Sequence, residues 1–70
     1  MDMRRVVGDN VKRARLAAGM TQEELSERSG FSQQYLSGLE QGKRNPTIVS
    51  IYELAQALSV SHEDLVHSVT

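Results

Sequence analysis

Leu25, Gly30, Leu36 and Leu39 have the spacing of a helix-turn-helix: a helix of two turns, a glycine-containing corner, and a second helix with two residues turned to a core. Such a corner lets the second helix protrude, and the major groove of B-DNA admits one α-helix. Two-helix corners occur in many all-α proteins, so the spacing alone defines a shape and not a ligand. Polar side chains gather around it. Gln33 and Gln34 open the second helix, and Lys43, Arg44 and Asn45 follow it. A glutamine amide can pair bidentately with adenine N6 and N7, while cations and amides hold phosphates. Catalytic chemistry has less to work with. His62 and His67 are five apart, a poor metal spacing on one helix, and Glu63 and Asp64 beside them read as capping residues. Glu40 has no second carboxylate suited to acid–base work, and no glycine-rich phosphate loop occurs. An enzyme is not expected, and neither is a cofactor or a metal.

The elements that must position these residues are helices throughout. Val7, Val11, Ala14 and Ala18 form one apolar stripe that Gly19 ends. Thr21 with Glu24 is a capping box, opening a second helix to about Ser29 that buries Leu25. Gly30 suits the left-handed position after that helix, Phe31 adds apolar bulk at the corner, and Ser32 caps a third helix through Glu40. Gly42 ends it, and a polar, basic loop runs to Pro46. Thr47 caps a fourth helix with an expected stripe of Ile48, Ile51, Tyr52, Ala55 and Leu58. Ser61 with Asp64 opens a short fifth helix carrying Leu65, Val66 and Val69. Repeats, linkers and low-complexity segments do not occur.

Composition sets the frame. Seventy residues suffice for one small domain. At about 1.5 kcal/mol per residue, ordering them costs on the order of 100 kcal/mol of conformational entropy, so the helices must pack efficiently. No cysteine is present, which excludes disulfides and thiolate metal sites. The chain is 39% hydrophobic and 24% charged, the balance of a folded domain. No apolar run suggests a membrane span or a signal peptide, so a cytoplasmic location is expected. The 4% aromatic share argues against a base-stacking platform for single strands. The net charge of −1 hides a segregated distribution. Residues 1–20 carry Arg4, Arg5, Lys12, Arg13 and Arg15 against Asp2 and Asp9, and Lys43 and Arg44 form a second basic segment. Between them lie Glu23, Glu24, Glu27 and Glu40, and the chain ends acidic. A domain so arranged can still turn a basic face to phosphates.

The run from Gly19 through Met20-Thr21-Gln22-Glu23-Glu24-Leu25-Ser26, then Gly30-Phe31-Ser32, then Tyr35-Leu36-Ser37-Gly38-Leu39-Glu40-Gln41-Gly42-Lys43-Arg44-Asn45-Pro46-Thr47, resembles the lambda-repressor-like family. This is the Cro/CI, or xenobiotic-response-element, class of helix-turn-helix regulators. Leu54-Ala55-Gln56-Ala57-Leu58-Ser59-Val60-Ser61 and Asp64-Leu65 extend the resemblance to residues 6–66. It departs at Ser26, where the family usually has alanine, and at Gly38, where a long polar side chain is frequent.

The resemblance implies an all-α, compact five-helix domain over residues 1–70, and a transcriptional regulator that binds double-stranded operator DNA as a homodimer. A phage-type repressor or a restriction–modification controller fits so short a chain. An antitoxin whose main partner is a toxin protein, or a domain of a longer regulator, remains open. By position in the motif, the third helix is the recognition helix. Gln33, Gln34 and Ser37 are then the base-contact candidates, and Gln22, Ser32, Tyr35, Lys43, Arg44 and Asn45 the phosphate candidates. Gln22 is also expected to brace Gln33, and Arg15 to pair with Glu40 structurally. Leu65, Val66 and Val69 are candidates for the dimer surface.

Overall fold

The computed structural model describes residues 2–68. In these residues the chain forms α1 (Met3–Ala17), α2 (Gln22–Ser29), α3 (Gln33–Glu40), α4 (Ile48–Leu58) and α5 (His62–Val66). Local chemistry sets the helix starts. Asp2 caps α1 by accepting from the Arg4 amide, and the hydrogen bonds from Arg4 hold its exposed carboxyl below the usual value. Thr21 Oγ1 accepts from the Glu24 amide at 3.0 Å while Glu24 accepts from the Thr21 amide at 2.9 Å, closing the expected capping box. Ser32 caps α3, Thr47 caps α4, and Ser61 with Asp64 forms a second capping box on α5. The corner between α2 and α3 turns at Gly30, whose φ of 83° lies in the left-handed region that a side chain disfavours. Ser26 strengthens this corner, because its hydroxyl donates to the Phe31 carbonyl. The departure from alanine there adds a bond across the turn.

The core comprises Val7, Val11, Met20, Leu25, Leu36, Leu39, Leu54, Ala55, Leu58 and Leu65. It lies where α1 packs on α3 and α5, and α2 and α4 close the other side. The α4 stripe differs from the expected one. Ile48 is 81% exposed and Tyr52 53%, while Leu54 is fully buried. Ile51, Leu54, Ala55 and Leu58 form an equally regular helical stripe, and that is the one packed inward. Ala18 also falls outside the core, in the cap that ends α1.

Two tertiary contacts had no counterpart in the sequence reading. The α1 backbone at Gly8 lies directly against α3, so that a Cβ there would overlap the Leu39 carbonyl oxygen. Asn10, buried on α1, donates through Nδ2 to the carbonyls of Leu65 at 3.1 Å and His67 at 2.8 Å. Carbonyls at a helix C-terminus have no partner within the helix, and Asn10 satisfies these from across the fold. That contact ties the five-residue α5 to α1.

Candidate nucleic-acid interface

Helix α3 turns Leu36, Leu39 and Glu40 inward. Its opposite face carries Gln34 and Gln41, both exposed, with Ser37 and Gly38 half-buried between them and exposed Gln33 on one flank. The expected base-contact set, Gln33, Gln34 and Ser37, therefore shares one accessible side of one helix. Ser37 Oγ accepts from Gln41 Nε2 at 3.2 Å, joining successive turns of that side.

The orientation of α3 is fixed from beneath by ionic contacts. Arg15, at the end of α1, donates from Nε to Glu40 Oε2 at 2.7 Å and from Nη2 to Oε1 at 3.0 Å. Its Nη1 donates to the Met20 carbonyl at 2.9 Å. Both side chains are buried, and the hydrogen bond to Glu40 raises Arg15 above its already high ordinary value. The pairing inferred from the family resemblance is present in bidentate form. Gln22 does not form the expected brace to Gln33. Its Nε2 donates to Glu40 Oε1 at 3.1 Å, so the amide joins the buried ion pair instead of bracing Gln33. Glu40 has acceptor capacity beyond the Arg15 fork, and a half-buried glutamine in the first turn of α2 reaches it. One cluster thus links the end of α1, the start of α2 and the last turn of α3. Among the described residues no buried side-chain nitrogen or oxygen lacks a partner.

The phosphate candidates occupy the rim around α3. Ser32 accepts from the Tyr35 amide at 3.0 Å, which leaves its hydroxyl hydrogen to donate. Tyr35 is half-buried, stacked on Phe31 with centroids 5.1 Å apart, and the Arg44 guanidinium carbon lies 5.8 Å from its ring centroid. Lys43, Arg44 and Asn45 are exposed in the loop after α3, whose start is set by Gly42 donating to Leu39 O and Lys43 to Gly38 O. The N-terminus of α2 is less suited to an anion than its dipole suggests. Glu23 and Glu24 already place negative charge in its first turn. The Thr21 amide, the larger influence, and the Thr21 hydroxyl interaction hold Glu24 below its ordinary value.

The expected dimer surface requires correction at Leu65. Leu65 is fully buried in the core of its own chain, because α5 packs against both α1 and α4. Val66 is 38% exposed, and Val69 lies outside the described residues. Ile48, Val49 and Tyr52 on α4 are more exposed, at 81, 64 and 53%, as is Leu16 on α1 at 58%. Tyr52 meets the His62 ring at 6.4 Å, which connects that flank to α5. Among the described residues no group of three or more histidine, aspartate and glutamate side chains is placed to hold a metal. No described helix is long and apolar enough to cross a membrane.

The α2–α3 corner, with a polar, solvent-facing side of α3, defines a helix-turn-helix protein. Comparison with known proteins agrees. The helix-turn-helix family profile matches residues 11–65. An uncharacterised HTH-type transcriptional regulator of Sinorhizobium fredii is 65% identical over 66 residues, covering 94% of this chain and 86% of that protein. The crystal structure of a hypothetical transcription factor, NHTF, from Neisseria superposes with a TM-score of 0.92 at 31% identity, covering 97% of this chain and 78% of that one. The restriction–modification controller protein C.Esp1396I, solved as a tetramer in complex with its natural 35 base-pair operator, superposes with a TM-score of 0.81 at 38% identity, over 87% of this chain and 80% of that one. The chain belongs to the Cro/CI-like helix-turn-helix family of transcriptional regulators.

Proposed function

We propose that this chain is a single helix-turn-helix domain that binds operator DNA as a homodimer and regulates transcription in the cytoplasm, with no catalytic step. Helix α3 enters the major groove. Gln33, Gln34 and Ser37 read base edges, while Ser32, Tyr35, Lys43, Arg44 and Asn45 hold the flanking phosphates. The observation that carries this reading is the exposed polar face of α3, immobilised from beneath by Arg15, Glu40 and Gln22. A rigid element presenting uncharged amides is suited to reading base edges, because an amide that must not move can discriminate between them. The operator-bound controller tetramer, 38% identical to this chain, supports a controller-type regulator.

The second copy is assigned to the α4 flank of Ile48, Val49 and Tyr52, together with Val66 of α5. This surface begins directly after the loop that follows α3, so a two-fold axis there sets the separation of the two α3 helices. Half-sites centred about 34–36 Å apart, one turn of DNA, are the expected geometry.

Selection of bound sites from random duplex DNA by the purified chain tests the proposal. A two-fold symmetric motif is the expected result. Absence of any enriched sequence, with tight capture of a protein partner, would instead establish an antitoxin-type role.

A further inference from the structure

The line along which α1 meets the end of α3 runs from the core out to solvent. Arg15 pairs with Glu40 and Gly8 lies against the Leu39 carbonyl, both of them buried. Arg5, one turn before Gly8, continues the line and is exposed. Gly42, in the turn that ends α3, sits at its outer end. Its φ of 76° lies in the left-handed region, and a Cβ there would stand 3.3 Å from Arg5 Cα and 3.5 Å from Arg5 Cβ. The turn therefore rests on the base of the Arg5 side chain, and its next residue is Lys43. Two cations far apart in the chain meet here, both exposed. Among the described residues neither has a carboxylate within ion-pair distance, Asp9 one turn further along α1 included. The neighbouring cations are engaged elsewhere. Arg4 Nε lies 3.4 Å from Asp2 Oδ1. Arg44 leans over α3, its stem against Gly38 and its guanidinium carbon 5.8 Å from the centroid of the Tyr35 ring. Like charges gathered without a counter-ion repel one another and attract an anion. The backbone of the turn cannot bind that anion, because the Gly42 amide donates to Leu39 O at 3.0 Å and the Lys43 amide to Gly38 O at 2.9 Å. Side chains must hold it.

Resting on the assignment of α3 to the major groove, we propose that Arg5 joins Lys43 in holding one DNA phosphate, at the place where α1 meets the loop after α3. Gly42 is the positioning residue, since a side chain there would press the loop away from α1. The guanidinium of Arg5 presents a planar fork to two phosphate oxygens, and Lys43 adds a point charge. Such a contact carries no base information. It fixes the register of α3 along the groove, because Arg5 stands on the helix that Arg15 locks to Glu40. The first helix, which supplies none of the base-reading residues, then becomes part of the DNA-binding surface.

The experiment titrates the selected operator and a scrambled duplex with wild-type and variant chains at several salt concentrations. It then repeats the titration on operators in which one phosphate at a time is replaced by a neutral methylphosphonate. Arg5→Ala should weaken both duplexes alike, leave base preference unchanged and reduce the salt slope by about one unit, a loss of roughly eightfold at 0.1 M salt. Arg5→Lys, which keeps the charge, should retain most of the affinity. Arg4→Ala makes the same change in net charge and should bind as the wild type does. One methylphosphonate in each half-site should weaken the wild type more than it weakens either Arg5→Ala or Lys43→Ala. Arg5 is exposed, so its variants should keep the wild-type circular dichroism and melting midpoint. A salt slope that Arg5→Ala leaves unchanged would overturn the inference. So would equal losses in Arg4→Ala and Arg5→Ala, the mark of diffuse attraction, or a neutralised phosphate that Arg5→Ala senses as fully as the wild type while Lys43→Ala does not. If the wild type selects no sequence, the DNA-reading proposal fails with it; if selection depends on Gln34 and the slope is indifferent to Arg5, this inference alone fails.

Discussion

Replacing Arg15 by methionine tests whether the cluster beneath α3 holds the fold. The substitution keeps much of the side chain's length and removes its charge and donors. Three hydrogen bonds disappear, at 2.7, 3.0 and 2.9 Å, and Glu40, with a side chain only 5% exposed, keeps a single partner in Gln22. Removing one partner of a buried ion pair costs about 3–5 kcal/mol, because a charge is left without compensation. At about 0.05–0.15 kcal/mol per residue, a domain this small has a total stability of roughly 3.5–10 kcal/mol. The single substitution should therefore remove about 30% of the stability or more. At about 4–8 °C per kcal/mol, the midpoint should fall by at least 12 °C. Thermal and urea melts followed by circular dichroism measure this directly. The double variant Arg15→Met with Glu40→Leu should recover most of the loss, since apolar residues of similar volume can replace a buried pair at little cost. A cost below about 1 kcal/mol for Arg15→Met, the level of an exposed pair, would refute the reasoning.

Asn10→Ala leaves the Leu65 and His67 carbonyls without their donor and should cost about 1–3 kcal/mol, with faster amide exchange in α5 than in α3. Uniform acceleration across all helices would show that Asn10 is not a local clamp. Val49→Glu and Tyr52→Glu should weaken self-association in sedimentation while each chain stays folded, because both side chains are exposed in the monomer. An unchanged dimer would place the interface elsewhere. The Thr21 hydrogen bonds lower the Glu24 carboxyl from its ordinary value of 4.5 in the folded chain. Its contribution is thus complete above that value and is lost as the pH falls through the lower folded one. Glu24→Gln should flatten the acid limb of the melting curve, and an identical limb in the variant would dissociate the capping box from the pH dependence.

Helix ends were legible because caps are local: Thr21 with Glu24, Ser32, Thr47 and Ser61 with Asp64 each act within one turn. The α4 face was not, because an apolar-rich helix carries two stripes of equal regularity. Only the position of α2 and α5 decides that Leu54 turns inward and Tyr52 outward. The burial of Leu65 has the same origin. Asn10 left a readable sign, a poor helix former within the apolar face between Val7 and Val11, although its partners lie over fifty residues away. At the candidate site, residue types and spacing located α3 and the Arg15–Glu40 pair through the family resemblance. Gln22 on Glu40, and Arg44 on Gly38, are meetings of side chains from different elements, which no local spacing encodes.

In the proposed function α3 reads base sequence while Lys43, in the loop after it, holds the backbone. Binding titrations of Gln34→Ala and Lys43→Ala on the selected operator and a scrambled duplex, at several salt concentrations, test it most directly. Gln34→Ala should lose roughly 1–3 kcal/mol on the operator, relax preference at the position it contacts and keep the wild-type salt slope. Lys43→Ala should weaken both duplexes alike and reduce the slope by about one unit, since a cation on a phosphate releases counterions whatever the sequence. A Gln34→Ala chain that is folded by circular dichroism, yet binds both duplexes as the wild type does, would contradict the account.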